Sequence, residues 1–346
     1  MSEWAIRLVE TGGPDLLRHE PVAVTEPGDG EVRVRHTAIG VNFIDVYYRT
    51  GLYSTPLPSG LGVEGAGVLE AIGPGVTGFA RGDRVAYCVG PLGSYATARV
   101  LPASHIVKLP DAVTDAQAAA VTLKGLTAWY LLHRVRRLQA GETVLIHAVA
   151  GGVGTILTQW ARHLGARVIG TAGSPEKAEL ARSGGADEVI LYRTEGVAAR
   201  VRELTDGVGV PVVYDSIGKD TFEASLDSLA RFGLMVSFGN ASGPAPAVAP
   251  LTLMTKGSLF LTRPLLGHYI AERAELESGA AELFGLVADG VIRPVIGLQL
   301  PLSDAAEAHR RLESRATTGA TVLIPDIDAA NPQELASGSV VIHKGK

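Results

Sequence analysis

The stretch Val144-Leu145-Ile146-His147-Ala148-Val149-Ala150-Gly151-Gly152-Val153-Gly154 decides the fold of this chain. An apolar run of strand length leads into a glycine-rich turn, an apolar-periodic stretch follows to Leu164, and a second apolar run occupies 166–171. This succession is typical of a βαβ unit, in which the turn and the start of the helix favour a pyrophosphate ligand. Because Val149 replaces the first glycine of the G-x-G-x-x-G fingerprint, a purely structural βα turn is the alternative interpretation.

Four further segments with strand character extend the βαβ unit. They lie at 188–191, 210–214, 234–238 and 258–262, and most of them are separated by stretches of helix length. Six strands connected in this way are typical of a doubly wound parallel sheet that binds a dinucleotide. We therefore predict an α/β fold with its dinucleotide-binding domain in mid-chain, at 123–268.

The segments on either side of this domain have a different pattern. Residues 1–122 contain short runs punctuated by glycines, such as the period-two alternation of 31–35, and predict a glycine-rich β domain. After 268 the sequence predicts a helix at 271–289, a strand near 296–300, a helix at 303–312 and an edge strand at 321–324. Because these elements do not continue the βαβ pattern, we expect 269–325 to fold back onto the first domain. The polar remainder, 326–346, is expected to form a C-terminal tail.

Composition excludes several classes of protein. The 42 Gly and 19 Pro among 346 residues stay below the share typical of low-complexity chains, and 46% hydrophobic residues indicate a globular protein. A net charge of −5 provides no general basic field, so neither nucleic acid nor a membrane is expected as a partner. The single cysteine, Cys88, excludes an intrachain disulfide framework, and the N-terminus lacks a signal-peptide pattern. Both observations predict a cytoplasmic protein.

The type of cofactor is indicated 20 residues beyond Gly154. NAD enzymes usually have an acidic residue there on the ribose 2′-hydroxyl, whereas this chain has Ser174 within Gly173-Ser174-Pro175-Glu176-Lys177. A hydroxyl, a helix N-terminus and a cation suit the extra phosphate of NADP. The same residues also form a good helix start, with Ser174 as N-cap and Pro175 at N1, and the two interpretations are compatible. Lys177 leads us to predict NADPH.

Motifs along the chain resemble the zinc-free medium-chain dehydrogenase/reductase family, in its zeta-crystallin-like quinone oxidoreductase branch and especially its bacterial members. They are GVNFID (40–45), RTGLY (49–53), LKGLTA (123–128), AGGVG (150–154), VYDSIG (213–218), MVSFGN (235–240) and LESRAT (312–317). The resemblance, which reaches Pro325, implies a Rossmann domain inserted in a GroES-like β catalytic domain made of both chain ends. It also implies a homodimer, and residues 256–261 look like a sheet-edge strand that could pair with a second copy.

The resemblance further implies which residues line the site. Asn42, Tyr47 and Tyr53 fall on positions at the nicotinamide and substrate pocket, and Thr127 and Tyr130 are expected to open the helix beside it. Further cofactor contacts are implied for Ala150, Gly151, Gly152 and Val153 at the pyrophosphate, Gly173, Ser174, Lys177 and Tyr192 at the adenosine phosphate, Ser216 at the ribose, Phe238, Gly239, Asn240, Ser242 and the backbone near Arg263 at the nicotinamide end, and Arg315 from the closing domain. The plain alternatives are half-buried tyrosines, a turn residue at Asn42 and a helix-dipole partner at Arg315.

Metal chemistry is not expected. Zinc members of the superfamily have a Cys in the segment occupied here by 42–45 and a His in the motif matched here by Gly62-Val63-Glu64, and this chain has neither ligand. Hydride addition to a saturated ketone makes an alkoxide that needs a Lewis acid, whereas a quinone yields a phenolate-like anion whose conjugate acid has a pKa of about 10, by analogy with Tyr.

The missing ligands therefore favour NADPH-dependent reduction of a small quinone. Catalysis would rest mainly on alignment, with Tyr53 and Asn42 as hydrogen-bond donors to the developing oxyanion. The alternatives are a conjugated-enone reductase, whose product anion is an enolate, and a nucleotide-responsive binding protein of crystallin type.

Overall fold

The computed structural model describes residues 3–314 and 317–325, so the contact expected of Arg315 and the tail expected at 326–346 lie outside the described residues. The strands are β1 (Glu3–Leu8), β2 (Leu17–Val22), β3 (Glu31–Val41), β4 (Ser59–Gly60), β5 (Glu64–Ile72), β6 (Arg84–Tyr87), β7 (Ala98–Pro102), β8 (Val107–Lys108), β9 (Thr143–Ile146), β10 (Arg167–Ala172), β11 (Glu188–Leu191), β12 (Val210–Asp215), β13 (Leu229–Ser237), β14 (Phe260–Thr262), β15 (Ile296–Pro301) and β16 (Ala320–Ile324). The helices are α1 (Phe43–Thr50), α2 (Asp115–Tyr130), α3 (Gly152–His163), α4 (Pro175–Ser183), α5 (Val197–Leu204), α6 (Phe222–Ser228), α7 (Pro250–Thr255), α8 (Leu266–Tyr269), α9 (Arg273–Ala288) and α10 (Ala305–Glu313). Short 3-10 turns lie at Pro14–Leu16, Ala103–His105 and Leu302–Asp304, and a π-helical turn follows α2 at Leu131–Val135.

The mid-chain strands form a six-stranded parallel sheet in the order β11-β10-β9-β12-β13-β14. The six strand segments predicted from the sequence are confirmed, although β13 begins earlier than expected and β14 is shorter. The chain runs outward from β9 in one direction and from β12 in the other, so the strand order reverses between these neighbours. In open α/β sheets the ligand crevice lies at such a reversal, at the carboxyl ends of the strands.

The glycine-rich turn predicted at the centre of the chain joins β9 to α3. The backbone N–H of Gly151 donates to the carbonyl of Ala148 at 2.8 Å, and Ala148 itself adopts a left-handed conformation with φ 51°. A Cβ on Gly154 would overlap the Ala148 carbonyl oxygen, so a glycine is required for α3 to pack this closely on the turn. The turn therefore places the start of α3 at the crevice.

The two chain ends share a second sheet, in the order β15-β16-β3-β5-β6-β8, with β7 paired to β3. A three-stranded sheet of β2, β1 and β4 lies beside it in the chain's first part. The expected return of 269–325 onto the first domain is seen in the antiparallel pairing of β16 with β3. The prediction of an edge strand at 321–324 is wrong, because β16 lies between β3 and β15. Its continuous apolar run is buried on both faces, and the alternating β15 forms the edge.

Helix α2 belongs to both parts of the molecule. It packs against α3 of the nucleotide-binding part and against β3 and β5 of the catalytic part. Thr114 caps its start by accepting from the Gln117 N–H at 3.2 Å. Thr127 and Tyr130 therefore lie in the last turn of α2, and the expectation that they open a helix is wrong. The sequence pattern changes near 122 because the chain passes there from one sheet to the other. The continuous helix α2 makes this connection. In the described ranges, no helix is long and apolar enough to cross a bilayer.

Candidate active site

The turn from Ala150 to Val153, expected to contact the pyrophosphate, lies at the start of α3. Gly151 is the N-cap of α3 and has no side chain with which to bond the first-turn N–H groups, which lack partners inside a helix. The side chain of Lys124 covers this turn, since its Cε lies 3.0 Å from the position that a Cβ on Gly152 would take. Backbone donors at a helix start beside a cation suit an anionic ligand.

The residues expected at the adenosine phosphate, Gly173, Ser174, Lys177 and Tyr192, lie together at the ends of β10 and β11. Ser174 Oγ accepts from the Lys177 N–H at 3.3 Å, so the predicted helix cap is present. The Tyr192 side chain is 40% exposed, and its hydroxyl lies 2.6 Å from where a Cβ on Gly173 would be. A hydrogen bond with the Ser174 side chain lowers the pKa of Glu176. A phosphate that binds the Ser174 hydroxyl would therefore have to replace this carboxylate.

The residues expected at the ribose and the nicotinamide lie in two loops, at the ends of β12 and β13. The Phe238 N–H donates to the Asp215 carbonyl at 2.8 Å, and the Ala241 N–H donates to the Ser216 carbonyl at 3.3 Å. A Cβ on Gly239 would overlap that same Ser216 carbonyl, so the loops approach too closely for any other residue. Ser242 Oγ donates to the Ile217 carbonyl at 3.0 Å, which engages this hydroxyl proton within the loops.

Tyrosines from α1 and the segment after it lie against the loop that follows β13. Tyr47 Oη accepts from the Asn240 N–H at 2.8 Å and thereby joins the catalytic part to the loop after β13. The Tyr53 ring lies edge-on to Tyr47, with centroids 5.2 Å apart. Burial raises the pKa of Tyr47, which keeps its phenol protonated. Because the hydroxyl already accepts one hydrogen bond, its own proton is available for a ligand.

Arg263 was expected to contribute its backbone, and the structure shows that its side chain also contacts Ser237 and Tyr53. Nη1 donates to the Ser237 carbonyl at 2.9 Å, and Nη2 donates to Tyr53 Oη at 3.2 Å. With its amide oriented to satisfy both atoms, Asn240 also accepts from Arg263 Nη2 at 3.1 Å. The guanidinium therefore holds Tyr53 beside Asn240, in the loop after β13.

Tyr130 and Tyr269 form a second aromatic pair in the hydrophobic core near this end of the site. Their rings stack with centroids 4.6 Å apart and an interplanar angle of 10°. Tyr269 lies at the end of α8 and was not among the residues expected from the sequence. Because α8 has only four residues, no periodic pattern could have marked it.

Asn42 lies in a buried polar cluster where α2 meets the catalytic sheet. Its Nδ2 donates to Glu64 Oε2 at 2.8 Å, and the other carboxylate oxygen accepts from the Leu123 N–H at 2.7 Å. Lys124 Nζ lies 3.4 Å from Glu64 Oε2, so the buried carboxylate has a buried cation beside it. Glu64 accepts hydrogen bonds only, and it therefore orients the Asn42 amide with its nitrogen toward the carboxylate. Lys124 belongs to the LKGLTA motif at 123–128, and nothing in the local sequence indicated its contact with Glu64.

Asp45 lies next to this cluster, in the first turn of α1. Its Oδ2 accepts from the Asn42 N–H at 2.8 Å and from the Tyr95 hydroxyl at 2.9 Å. Burial raises the pKa of Asp45 to about 7, and the Glu64 charge contributes to the rise. In the ranges 3–314 and 317–325, no group of three or more His, Cys, Asp or Glu residues is arranged to hold a metal ion.

Comparison with known proteins places this geometry in a class. Residues 152–284 match the family described as zinc-binding dehydrogenase, and residues 28–111 match the alcohol dehydrogenase GroES-like domain. With the relatives described next, these matches show that the chain belongs to the medium-chain dehydrogenase/reductase family. The predicted fold class and the resemblance are thus confirmed.

Within this family the chain is similar to bacterial quinone oxidoreductases. It is 56% identical to the quinone oxidoreductase of Pseudomonas aeruginosa, over 92% of this chain and 99% of that protein. It is 48% identical to a 2-haloacrylate reductase from a Burkholderia species, over 91% of this chain and 96% of that protein. The solved structure of Escherichia coli quinone oxidoreductase complexed with NADPH matches with a TM-score of 0.92 and 48% identity, and covers 93% of this chain and 100% of that one.

Proposed function

We propose that this chain reduces quinones with NADPH, without a metal ion, by aligning the nicotinamide of the cofactor with a small acceptor. The observation that carries the proposal is the paired contact across the cleft, in which Tyr47 meets the Asn240 N–H and Arg263 meets Tyr53. These contacts leave two phenol protons beside the loop proposed to hold the nicotinamide. The extensive similarity to quinone oxidoreductases supports the same activity.

The described residues fit NADPH along the whole crevice. The uncapped start of α3 would receive the pyrophosphate at 150–153, and Ser174, Lys177 and Tyr192 would hold the adenosine phosphate. Ser216 would face the ribose, and the loop from Phe238 to Asn240 would border the nicotinamide. We also propose the domain limits 1–122, 123–268 and 269–325, and the single buried Cys88 supports a cytoplasmic location.

The mechanism follows from the hydrogen bonds of the chain's own residues. Bound NADPH supplies the reducing equivalents. Tyr53 accepts from Arg263 and can therefore direct its hydroxyl proton to a carbonyl oxygen of the acceptor. Asn42 Nδ2 donates to Glu64 Oε2 at 2.8 Å, so that amide hydrogen is engaged within the protein, and Tyr47 and Tyr53 remain as the donors to the acceptor. Donors fixed in advance stabilise the developing oxyanion, and a hydroquinone anion needs no stronger acid.

The name of the Burkholderia relative points to a second candidate acceptor, a conjugated haloalkene. Turnover of NADPH with a small para-quinone, 2-chloroacrylate, an alkyl enone and a saturated ketone separates the possibilities. We expect the quinone to react fastest and the saturated ketone not to react. Faster reduction of 2-chloroacrylate or of the enone would establish an activated-alkene reductase, and NADPH binding without turnover of any acceptor would establish a binding protein.

We propose that the chain forms a homodimer through the edge of the six-stranded sheet. Strand β14 ends the sheet at Phe260–Thr262, and its Phe260 side chain is 60% exposed. Exposed apolar side chains of the adjacent α7, Leu251 and Met254, extend the same region. Unpaired backbone groups at such an edge can hydrogen-bond to a second copy. Light scattering at micromolar concentration should report a dimer, and a monomer would contradict the proposal.

A further inference from the structure

A chain of buried hydrogen bonds runs beneath the cofactor crevice, and the mechanism above does not use it. Thr171 at the end of β10, His147 after β9, Ser225 in α6 and Asp215 at the end of β12 are each at most 1% exposed. Thr171 Oγ1 lies 3.1 Å from His147 Nδ1, His147 Nε2 lies 3.0 Å from Ser225 Oγ, and Ser225 Oγ donates to Asp215 Oδ2 at 2.7 Å. The chain therefore links three neighbouring strand ends.

The direction of these hydrogen bonds is determined by the carboxylate at one end. Asp215 can only accept, so the Ser225 proton must point toward it. The Ser225 oxygen then accepts from His147 Nε2–H, which leaves Nδ1 as the acceptor for the Thr171 hydroxyl proton. Burial lowers the pKa of His147 and keeps the ring neutral. Every proton in the chain thus points from Thr171 toward Asp215.

The two end residues of this hydrogen-bond chain, Thr171 and Asp215, accept from backbone N–H groups of the two loops proposed to bind the cofactor. Thr171 Oγ1 accepts from the Ala148 N–H at 3.2 Å, at the residue whose left-handed φ of 51° begins the pyrophosphate turn. Asp215 Oδ1 accepts from the Ile217 N–H at 2.8 Å and from the Gly218 N–H at 3.1 Å, in the loop that carries Ser216. A non-glycine residue with a positive φ, such as Ala148, is strained and persists only where its surroundings hold it.

We propose that His147, Ser225 and Asp215 are positioning residues that set the spacing between the pyrophosphate turn and the ribose loop, and through that spacing the affinity for NADPH. The inference rests on the proposed function only in taking NADPH as the ligand. None of the three side chains is assigned a chemical step. A shift of either loop would change the distance between the pyrophosphate donors and Ser216. The affinity for NADPH would therefore fall.

A matched pair of serines tests the proposal. Ser225→Ala breaks the chain at its centre, whereas Ser228→Ala removes a hydroxyl of equal burial on the same helix, which donates only to the Ala224 carbonyl within α6 at 2.7 Å. Both variants are expected to lower Tm. Only Ser225→Ala should raise the Kd for NADPH, by tenfold or more, with the KM for quinone nearly unchanged.

Equal Kd values for the two variants would overturn the positioning role while leaving the proposed function intact. Failure of the unaltered protein to bind NADPH would instead overturn the proposed function, and the positioning role with it. The direction of these buried hydrogen bonds does not depend on bound cofactor. A second measurement can therefore be made without NADPH.

The second measurement is the tautomer of His147, read from imidazole 15N shifts and assigned by the signal lost in His147→Gln. We expect the Nε2–H form in the unaltered protein. Asp215→Asn should place an NH2 group opposite Ser225, which turns the serine proton toward His147 and shifts the ring to the Nδ1–H form. An Nδ1–H ring in the unaltered protein, or an unchanged tautomer in Asp215→Asn, would overturn the directed chain.

Discussion

The starts of α3 and α4 differ in how the backbone N–H groups of the first helical turn are satisfied. Both helices begin at the carboxyl ends of neighbouring strands, β9 and β10. Helix α4 has Ser174, whose Oγ accepts from the Lys177 N–H, and Pro175 at its first position. Helix α3 begins at Gly151, which has no side chain for this purpose. Because helix-start N–H groups need partners, the difference supports the proposed roles, in which α3 offers its backbone to the ligand and α4 presents side chains to it.

The largest effect on cofactor affinity is expected from a methyl group in the backbone site. Gly154→Ala would place Cβ on the Ala148 carbonyl oxygen. NADPH affinity should fall on the order of a hundredfold, because relieving such an overlap costs about 1–3 kcal/mol and displaces the turn. Fluorescence titration with NADPH measures the change. Gly285→Ala in α9, where a Cβ meets open space, is the control and should leave affinity unchanged and raise stability by about 0.5–1 kcal/mol.

Normal NADPH affinity in Gly154→Ala would contradict the proposed difference between the two helix starts, since the backbone of α3 could then not be the pyrophosphate site. A fall in Tm without loss of affinity would lead to the same conclusion. Gly285→Ala distinguishes these results from a general effect of glycine replacement in helices.

Substitutions at the start of α4 should change NADPH affinity less than Gly154→Ala does, and one should lower the affinity while the other raises it. Lys177→Ala removes the cation proposed to face the adenosine phosphate and should weaken NADPH binding about ten- to a hundredfold, or about 1.5–3 kcal/mol. Glu176→Gln removes the carboxylate that bonds to Ser174 and should strengthen binding modestly. Neither change should alter NADH affinity. Titration of both cofactors measures these effects, and equal affinity of the unaltered protein for NADPH and NADH would refute the assignment.

The tyrosine at the opposite end of the crevice should affect turnover instead of affinity. Tyr53→Phe removes the hydroxyl that Arg263 holds, and quinone reduction should slow about ten- to a hundredfold, or about 1.4–2.7 kcal/mol of transition-state stabilisation. The Kd for NADPH should stay within a factor of about two, because positioning of the acceptor is what is lost. Tyr48→Phe, which alters a neighbouring ring in edge-on contact with Tyr53, is the control. A matching loss in Tyr48→Phe would assign the effect to packing.

The smallest effect on cofactor affinity is expected at Asp45, a buried carboxyl whose hydrogen bonds are to Asn42 and Tyr95. Its folded-state pKa of about 7 exceeds the ordinary value of 3.8, so the folded protein retains a proton that the unfolded chain loses. The free energy of unfolding should therefore fall as pH rises between about 4 and 7, by up to about 1.4 kcal/mol per unit. Asp45→Asn should remove this slope and leave NADPH affinity unchanged. Urea unfolding at several pH values measures the slope, and an identical slope in Asp45→Asn would contradict the assignment.

Local sequence was sufficient for the elements that follow from period and capping. The alternation of strand and helix segments over 144–262 predicted the six-stranded sheet, and Ser174 and Pro175 predicted the start of α4. The edge position expected for 321–324 was wrong, because strand neighbours depend on partners far away in the chain. Thr127 and Tyr130 were placed at the wrong end of a helix for a related reason, since Thr114, the cap that starts α2, lies outside the motif that drew attention to them.

By itself, the sequence determined the glycine-rich turn and the doubly wound sheet, because glycines and apolar periods in nearby residues predict both. It also determined that the family's zinc ligands are missing from the segment 42–45 and from Gly62-Val63-Glu64. Only the tertiary structure decided how the cleft is joined. The Tyr47–Asn240 and Tyr53–Arg263 contacts span 193 and 210 residues of chain, and the Glu64–Lys124 pair joins a strand to a helix. Such contacts leave no local pattern, since they depend on the packing of two sheets against α2.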